Sequence, residues 1–184
     1  MITSKIQIIN MALGGLGEIP VGSTTETKFS RLADALFDAA LEEVLRAHPW
    51  NFAVKRAVLA PGATLPVSGY AASFPLPPDC LRILDAGEDS WRVEGRAILA
   101  DAAAISLRYV ARPTDSTLWD ASFVAALVAN LMWKLTYPVT KSTTLRDSNF
   151  AAYSQLLQQA RSIDAQEEPA EELEESSLIA VRGR

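Results

Sequence analysis

Cysteine and histidine are almost missing from this sequence, which contains one of each, Cys80 and His48. A single cysteine cannot form a disulfide within the chain, so nothing here requires an oxidising compartment, and we expect synthesis in the cytosol. His48 precedes Pro49 at a predicted helix end, and Cys80 follows Asp79, which favours the protonated thiol. Neither residue has the partners of a nucleophilic or zinc site. We therefore expect no enzymatic activity, no catalytic residue, no metal and no other cofactor.

Long apolar runs and a surplus of basic residues are also absent. The longest apolar stretch, residues 121–133, includes Ser122 and Asn130 and is shorter than the roughly 20 residues that a membrane-spanning helix needs. Residues 1–163 include fifteen basic and fifteen acidic residues, whereas residues 164–184 include two basic and seven acidic ones. A protein that reads nucleic acid needs a lysine and arginine surplus on one face. We therefore expect neither membrane insertion nor sequence-specific nucleic-acid binding.

Apolar residues that recur at three- and four-residue steps predict the first two helices. Helix one covers residues 4–16, and Gly17 is placed to end it in a left-handed conformation. Helix two follows a capping box at residues 23–26 and continues to Ala47, because Pro49 cannot extend it. A short connection predicts that these two helices pack as an antiparallel hairpin.

Two further helices are predicted nearer the C-terminus. Helix three runs from the cap residue Asp120 to Pro138, and helix four covers residues 144–163. Apolar residues surround helix three on every side, which is typical of a helix in the middle of a bundle. The four helices together predict a four-helix bundle formed by residues 1–49 and 113–163.

Between helices two and three, residues 50–112 have the alternating pattern of short strands. Three prolines between residues 74 and 79 suit only an edge strand or an extended crossing. The predicted fold class is therefore α+β: a four-helix bundle, a small antiparallel β module inserted between helices two and three, and an extended acidic C-terminal arm over residues 164–184. The strands are predicted at residues 52–59, 81–85, 91–99 and 105–110, the third folding into a hairpin at Glu94–Gly95.

Two sets of side chains in the body are candidates for contacts with other proteins. One set consists of arginines in the β module, which either form ordinary cross-strand ion pairs or present a face to an acidic neighbour. They are Arg92, Arg96, Arg108 and Arg112. The other set consists of tryptophans, which either pack inside the fold or anchor a subunit interface. They are Trp50, Trp91, Trp119 and Trp133.

The C-terminal arm is the third candidate. Its acidic spacer is nearly devoid of apolar side chains, and we expect it to be extended when unbound. Apolar residues return near the terminus, with the pattern of a segment that folds on binding a partner. These residues are Leu178, Ile179 and Val181, followed by Arg182. The alternative is a terminus with no role of its own.

Short motifs in a particular order carry a family resemblance. In chain order they are INMAL at 9–13, LGE at 16–18, PWNF at 49–52, LPPDCL at 76–81, LWD at 118–120 before an alanine-rich helix, and ESS at 175–177. The chain thereby resembles the tail tubular protein A family, the head-to-tail adaptor proteins of short-tailed bacteriophages and related prophages.

The resemblance implies a structural subunit assembled in the host cytoplasm and located in the virion. It implies a ring of twelve copies beneath the portal and above the tail nozzle, through which DNA passes as unread cargo. The family fixes no residue roles here, so two assignments are hypotheses: the arm residues 178, 179, 181 and 182 dock to the portal, and the four arginines meet the tail-side partner or a neighbouring subunit. The alternative is a helical protein-docking module of a cellular complex with no catalytic activity.

Overall fold

A computed structural model describes residues 4–167 of the 184-residue chain. The proposed portal-docking residues Leu178, Ile179, Val181 and Arg182 lie outside this range. The helices are α1 Lys5–Gly14, α2 Lys28–Ala47, α3 Ala121–Thr140 and α4 Thr143–Gln166. The strands are β1 Val54–Leu59, β2 Ala72–Pro75, β3 Cys80–Asp85, β4 Trp91–Glu94, β5 Ala97–Ala100 and β6 Ile105–Ala111. The fold is α+β, as predicted.

Helix α3 is the centre of the helical layer. It packs against α1, α2 and α4, and its side chains Phe123, Leu127 and Leu131 are completely buried. The apolar pattern of this helix therefore predicted its central place correctly. The other three helices all pack against α3, but the arrangement only loosely matches a four-helix bundle.

The β module consists of two three-stranded antiparallel sheets, not the single sheet that we predicted. Their strand orders are β1-β6-β3 and β2-β5-β4. The long connection between β1 and β2 lets the chain leave the first sheet, and β2 then pairs with β5 through Phe74 opposite Ile98. Pro75 ends this edge strand, where its missing amide proton is tolerated.

The sheet β1-β6-β3 lies between the helices and the second sheet. Along β6, Val110 belongs to the helical core, whereas Leu107 and Tyr109 belong to the core between the two sheets. Successive side chains of a strand point to opposite faces, so β6 contributes to both cores. The fold therefore has three layers, and the β module shares a core with the helices.

Three predicted helix boundaries were wrong. Helix α2 is capped by Thr27 and Ser30, whereas Glu26 accepts from the amides of Gly22 and Ser23 in a separate turn. Helix α3 continues past Pro138, because a proline in the last turn removes only one backbone hydrogen bond. The third error is the end of α4, which was predicted at residue 163, with the C-terminal arm starting at residue 164.

Helix α4 continues to Gln166, three residues beyond the predicted end, so the first part of the proposed arm is helical. Asp164, the first residue of that predicted arm, is only 6% exposed. Its charge suggested a solvated spacer, but its carboxylate contacts the junction between α2 and β1. This contact holds the last turn of α4 against the body.

Candidate interaction surfaces

The four arginines of the β module occupy three different places: Arg96 and Arg112 line one cleft, whereas Arg92 and Arg108 lie apart from it and from each other. Arg112 follows β6 and donates to Glu42 and Asp38 of α2, at 2.6 and 2.5 Å. Arg96, in the β4–β5 turn, donates to the carbonyl oxygens of Pro77 and Pro78, at 2.8 and 3.3 Å. These two arginines hold parts of the chain together. We predicted cross-strand ion pairs as one possible role of these arginines. Arg112 does form ion pairs, but they join the β module to helix α2 and do not join two strands.

Arg108 and Arg92 differ from the other two, because no hydrogen bond or ion pair within residues 4–167 involves either side chain. Arg108 lies on β6, opposite Arg56 of β1 and Asp85 of β3, in a cleft of about 550 Å³. Arg92 is exposed on β4, in the other sheet. Any contact of these two arginines with a neighbouring protein would therefore use two separate surfaces.

Two more arginines, which sequence reasoning missed, fasten α2 to β3. Arg46 donates to the carbonyl oxygen of Leu81, and Arg82 donates to the carbonyl oxygen of Arg46 at 2.8 Å. Arg46 lies in the last turn of α2, where a basic side chain is common, but nothing in the sequence indicated its partner. With Arg112, these contacts join the helical layer and the β module as one body.

Asp79 organises the corner between β2 and β3. Its carboxylate accepts from Lys55 at 2.7 Å and from the hydroxyl of Tyr109 at 3.2 Å, and its carbonyl oxygen accepts from the amide of Arg112 at 2.8 Å. Burial opposes ionisation of Asp79, but the bonds from Lys55 and Tyr109 outweigh it and lower the pKa of the carboxyl. Burial, together with Asp79, raises the pKa of Tyr109 to about 12. Both groups therefore keep one protonation state at neutral pH.

The neighbouring thiol of Cys80 is buried. Burial raises its pKa above the ordinary value, and the charge of Asp79 acts in the same direction. The sequence predicted the direction of this shift from Asp79 alone, whereas burial is the larger cause. The thiol form persists at neutral pH, which suits a packing residue.

His48 and Asp164 form the contact between the ends of α2 and α4. Nε2 of His48 lies 3.1 Å from Oδ2 of Asp164, and the amide of Asn51 donates to both carboxylate oxygens at 3.2 Å. The side chain of Asn51 also donates to the carbonyl oxygen of Asp164 at 2.9 Å. Burial lowers the pKa of His48, although Asp164 partly opposes the shift. The histidine is thus a helix-end residue, as predicted, with a partner that sequence spacing did not indicate.

The adjacent residues Glu42 and Glu43 of α2 point toward different neighbours. Glu42 binds Arg112, whereas Glu43 accepts from Lys134 at 2.7 Å and from Asn130 at 3.0 Å, both on α3. Each joins α2 to a different neighbour, so the two carboxylates do not face a common site.

Of the four tryptophans, Trp50 is buried and the other three are half-buried against the two cores. Trp50 is completely buried, donates to the carbonyl oxygen of Val44 at 2.8 Å, and meets the ring of Phe123 edge to face at 5.1 Å. Trp133 stacks on Tyr153 between α3 and α4. Trp91 packs against the core between the sheets, and Trp119 packs against the helical core.

The sequence did not indicate an apolar groove on the helical layer. We call it the α3 groove. It has a volume of about 500 Å³ and runs along one side of α3, between Met11 of α1 and Leu156 of α4. The remaining lining comes from α3 and the residues before it: Trp119, Ala121, Val124, Ala125, Val128, Ala129 and Met132. The apolar pattern of α3 predicted that the helix is covered on every side. The groove shows that one side stays open.

One polar atom at this groove lacks a partner. The indole nitrogen of Trp119 is buried and has no acceptor among residues 4–167. A buried donor without an acceptor is costly, and such groups usually have a partner. Met11, on the opposite wall, is 46% exposed although its side chain is apolar. The groove thus exposes apolar side chains, whereas the indole nitrogen of Trp119 is closed to solvent and is not offered to a ligand there.

Comparison with models of protein families and with curated proteins finds no match to this chain. The resemblance to the tail tubular protein A family therefore stays a prediction based on the motifs. Within residues 4–167, no helix is both long and apolar enough to cross a bilayer. The same residues include no group of three or more histidine, cysteine or acidic side chains arranged to hold a metal ion.

Proposed function

We propose that this chain is a structural connector subunit of a bacteriophage, which forms a ring between the portal and the tail. Its function in this proposal is mechanical. The ring joins two larger parts of the particle and leaves a channel for DNA. The proposal includes no catalytic step and no cofactor.

The observation that carries the proposal is where the family-like motifs fall in the fold. The PWNF motif forms the junction of α2, β1 and α4, where Trp50 contacts Phe123 and Asn51 binds Asp164. The LPPDCL motif forms the β2–β3 corner around Asp79, and the LWD motif supplies the cap of α3, Asp120. Residues at such corners determine how layers join. If the proteins of the family have the same motifs at the same corners, this supports a common fold. On this ground we apply the function of the family to this chain.

The INMAL and LGE motifs fit the same pattern. Asn10 binds both the amide and the carbonyl of Val21, at 2.9 Å each, and so fixes the connection after α1. The chain stops its first helix before Gly17, which has a φ of +84°. These motif residues have structural partners, which is what the proposal expects of a connector subunit.

The joined body is the second line of support. A ring subunit has to transmit the position of one neighbour to the next, which requires a body that does not bend between its layers. Arg112, Arg46 and Arg82 bind the β module to α2, and the layers share the core around Val110. Because Arg96 and Arg112 already have partners within the chain, we restrict the proposed tail-side or inter-subunit contacts to Arg92 and Arg108. The portal contact stays with residues 178, 179, 181 and 182.

Size-exclusion chromatography with light scattering tests the proposal. The purified chain, alone or mixed with portal protein from the same phage, should elute as an assembly of many copies. Arg92→Glu and Arg108→Glu should weaken assembly or tail attachment while leaving the fold intact, and Lys141→Glu is a matched control at another surface. A chain that stays monomeric alone and with portal would contradict the proposal and favour the alternative, a protein-docking module of a cellular complex.

A further inference from the structure

We infer that the apolar segment at residues 178–181 occupies the α3 groove of its own chain. The inference concerns the isolated protein and holds whether or not the chain is a phage connector. The segment consists of Leu178, Ile179, Ala180 and Val181, four apolar residues that follow an acidic spacer.

The position at which the described chain ends supports this occupant. Helix α4 finishes beside the start of α3: Asp164 binds Asn51, Phe52 meets Phe123 at 4.9 Å, and Phe123 meets Trp119 at 5.6 Å. Leu156, on the groove wall, lies ten residues before the end of α4, or about 15 Å along the helix. The chain therefore leaves the body near the Trp119 end of the groove.

The length of the connection is sufficient. Ten residues, 168–177, separate the last described residue from Leu178, and an extended stretch of this length spans about 36 Å. This reach exceeds the distance along the groove. Residues 178–181 can therefore lie anywhere between Trp119 and Met132.

The chemistry of the groove also suits this segment. Its walls are aliphatic side chains, methionines and one tryptophan face, which match leucine, isoleucine and valine. Binding in the groove would thus shield both apolar surfaces.

The groove could bind residues 178–181 of its own chain or those of a second copy, and tethering favours its own chain. A short connection gives the tethered segment an effective concentration of about 1 mM, far above that of a second copy at micromolar protein. If the intrinsic dissociation constant is about a tenth of this effective concentration, the tethered segment fills its own groove in about nine chains of ten. The portal would then have to displace it, because Leu178, Ile179 and Val181 belong to both proposed contacts.

Disulfide mapping in the full chain tests the inference. Ala125 is exposed on the groove wall, so Ala125→Cys and Ile179→Cys are combined in a Cys80→Ala background and oxidised with glutathione disulfide. The expected product is a disulfide within one chain, formed at least about tenfold faster than in the control pair Ala151→Cys and Ile179→Cys. Ala151 is exposed on α4 and does not line the groove. Equal rates for the two pairs would overturn the inference, and so would disulfides between chains, which would identify a second copy as the occupant.

A competition measurement checks the result without cysteines. A fluorescent peptide of residues 176–184 is titrated with the full chain and with a chain ending at Glu167, which retains every described helix and strand. Fluorescence anisotropy should show about tenfold weaker peptide binding to the full chain. Leu178→Asp with Ile179→Asp in the peptide, or Ala125→Glu in the shortened chain, should abolish binding, whereas Ala151→Glu should not. Equal binding to the full and shortened chains, or no binding to the shortened chain, would overturn the inference.

Discussion

Replacing Asp164 by alanine should loosen the contact between α4 and the α2–β1 junction. The carboxylate accepts the amide of Asn51 on both oxygens and lies 3.1 Å from Nε2 of His48. It is nearly buried, so water cannot fully replace it as an acceptor. The variant Asp164→Ala therefore leaves two donors near the protein interior without a partner.

The expected loss of stability follows from these two donors. A buried donor that loses its acceptor costs roughly 1 kcal/mol or more, so the free energy of unfolding should fall by about 2–3 kcal/mol. For a chain of this size the melting temperature should fall by roughly 5–10 °C. The hydrogen bond from Asn51 to the carbonyl oxygen of residue 164 is retained in the variant, which keeps the loss from being larger.

Urea unfolding followed by far-ultraviolet circular dichroism at pH 7.5 measures this loss. The control is Asp147→Ala on the same helix, where an exposed carboxylate pairs only with the adjacent Arg146 and should contribute less than about 0.5 kcal/mol. The difference between the two variants should grow as the pH falls toward 5.5, because Asp164 can no longer stabilise protonated His48. Equal unfolding midpoints for the two variants would refute the role that we assign to Asp164.

Three further predictions concern other contacts. Because the pKa of His48 is lowered from 6.5, the stability contributed by its neutral form is complete above about pH 6.5 and is lost as the pH falls through the folded-state pKa. An NMR titration of this sole histidine should give a pKa below 6.5, and His48→Gln should remove the corresponding loss; a value above 6.5 would contradict the burial argument. Arg112→Ala should lower the free energy of unfolding by only about 1 kcal/mol, since the pairs with Asp38 and Glu42 are partly solvated, and a loss above about 3 kcal/mol in urea would disagree. Trp50→Ala should cost about 3–5 kcal/mol by calorimetry, because it empties a completely buried site, whereas Trp91→Ala should cost less; the reverse order would contradict the packing described here.

Local sequence patterns predicted the elements of this fold well. The all-round apolar pattern of α3 placed it at the centre of the helices, and alternation along β6 identified its strand. Asp120 was predicted as the cap of α3, and its carboxylate does accept from the amide of Ser122 at 2.7 Å. These features depend on residues within one or two turns of each other, which a sequence displays directly.

Partners distant in the sequence could not be predicted in the same way. Arg112 binds Glu42 from 70 residues away, and Asp164 binds Asn51 from 113 residues away. The charge of Asp164 favoured a solvated position until the fold brought two donors to it. The pairing of β2 with β5, which forms the second sheet, could not be predicted either, because several strands have a similar apolar pattern and the pattern does not say which of them pair.

The α3 groove was missed for a related reason. The apolar pattern of α3 indicated burial on every side, but periodicity cannot count how many helices are present to cover it. Three neighbours leave one strip open, from Trp119 to Met132. Only the packed arrangement reveals that strip, and with it the exit of the chain near one end of the groove.

The central claim is that the chain is a building block that forms a ring. Electron microscopy of the purified protein, alone and with portal protein, tests it most directly. End-on views should contain closed rings of about twelve subunits around an open channel, as the family resemblance implies. Fields of single subunits under both conditions, with no ring on the portal, would contradict the claim.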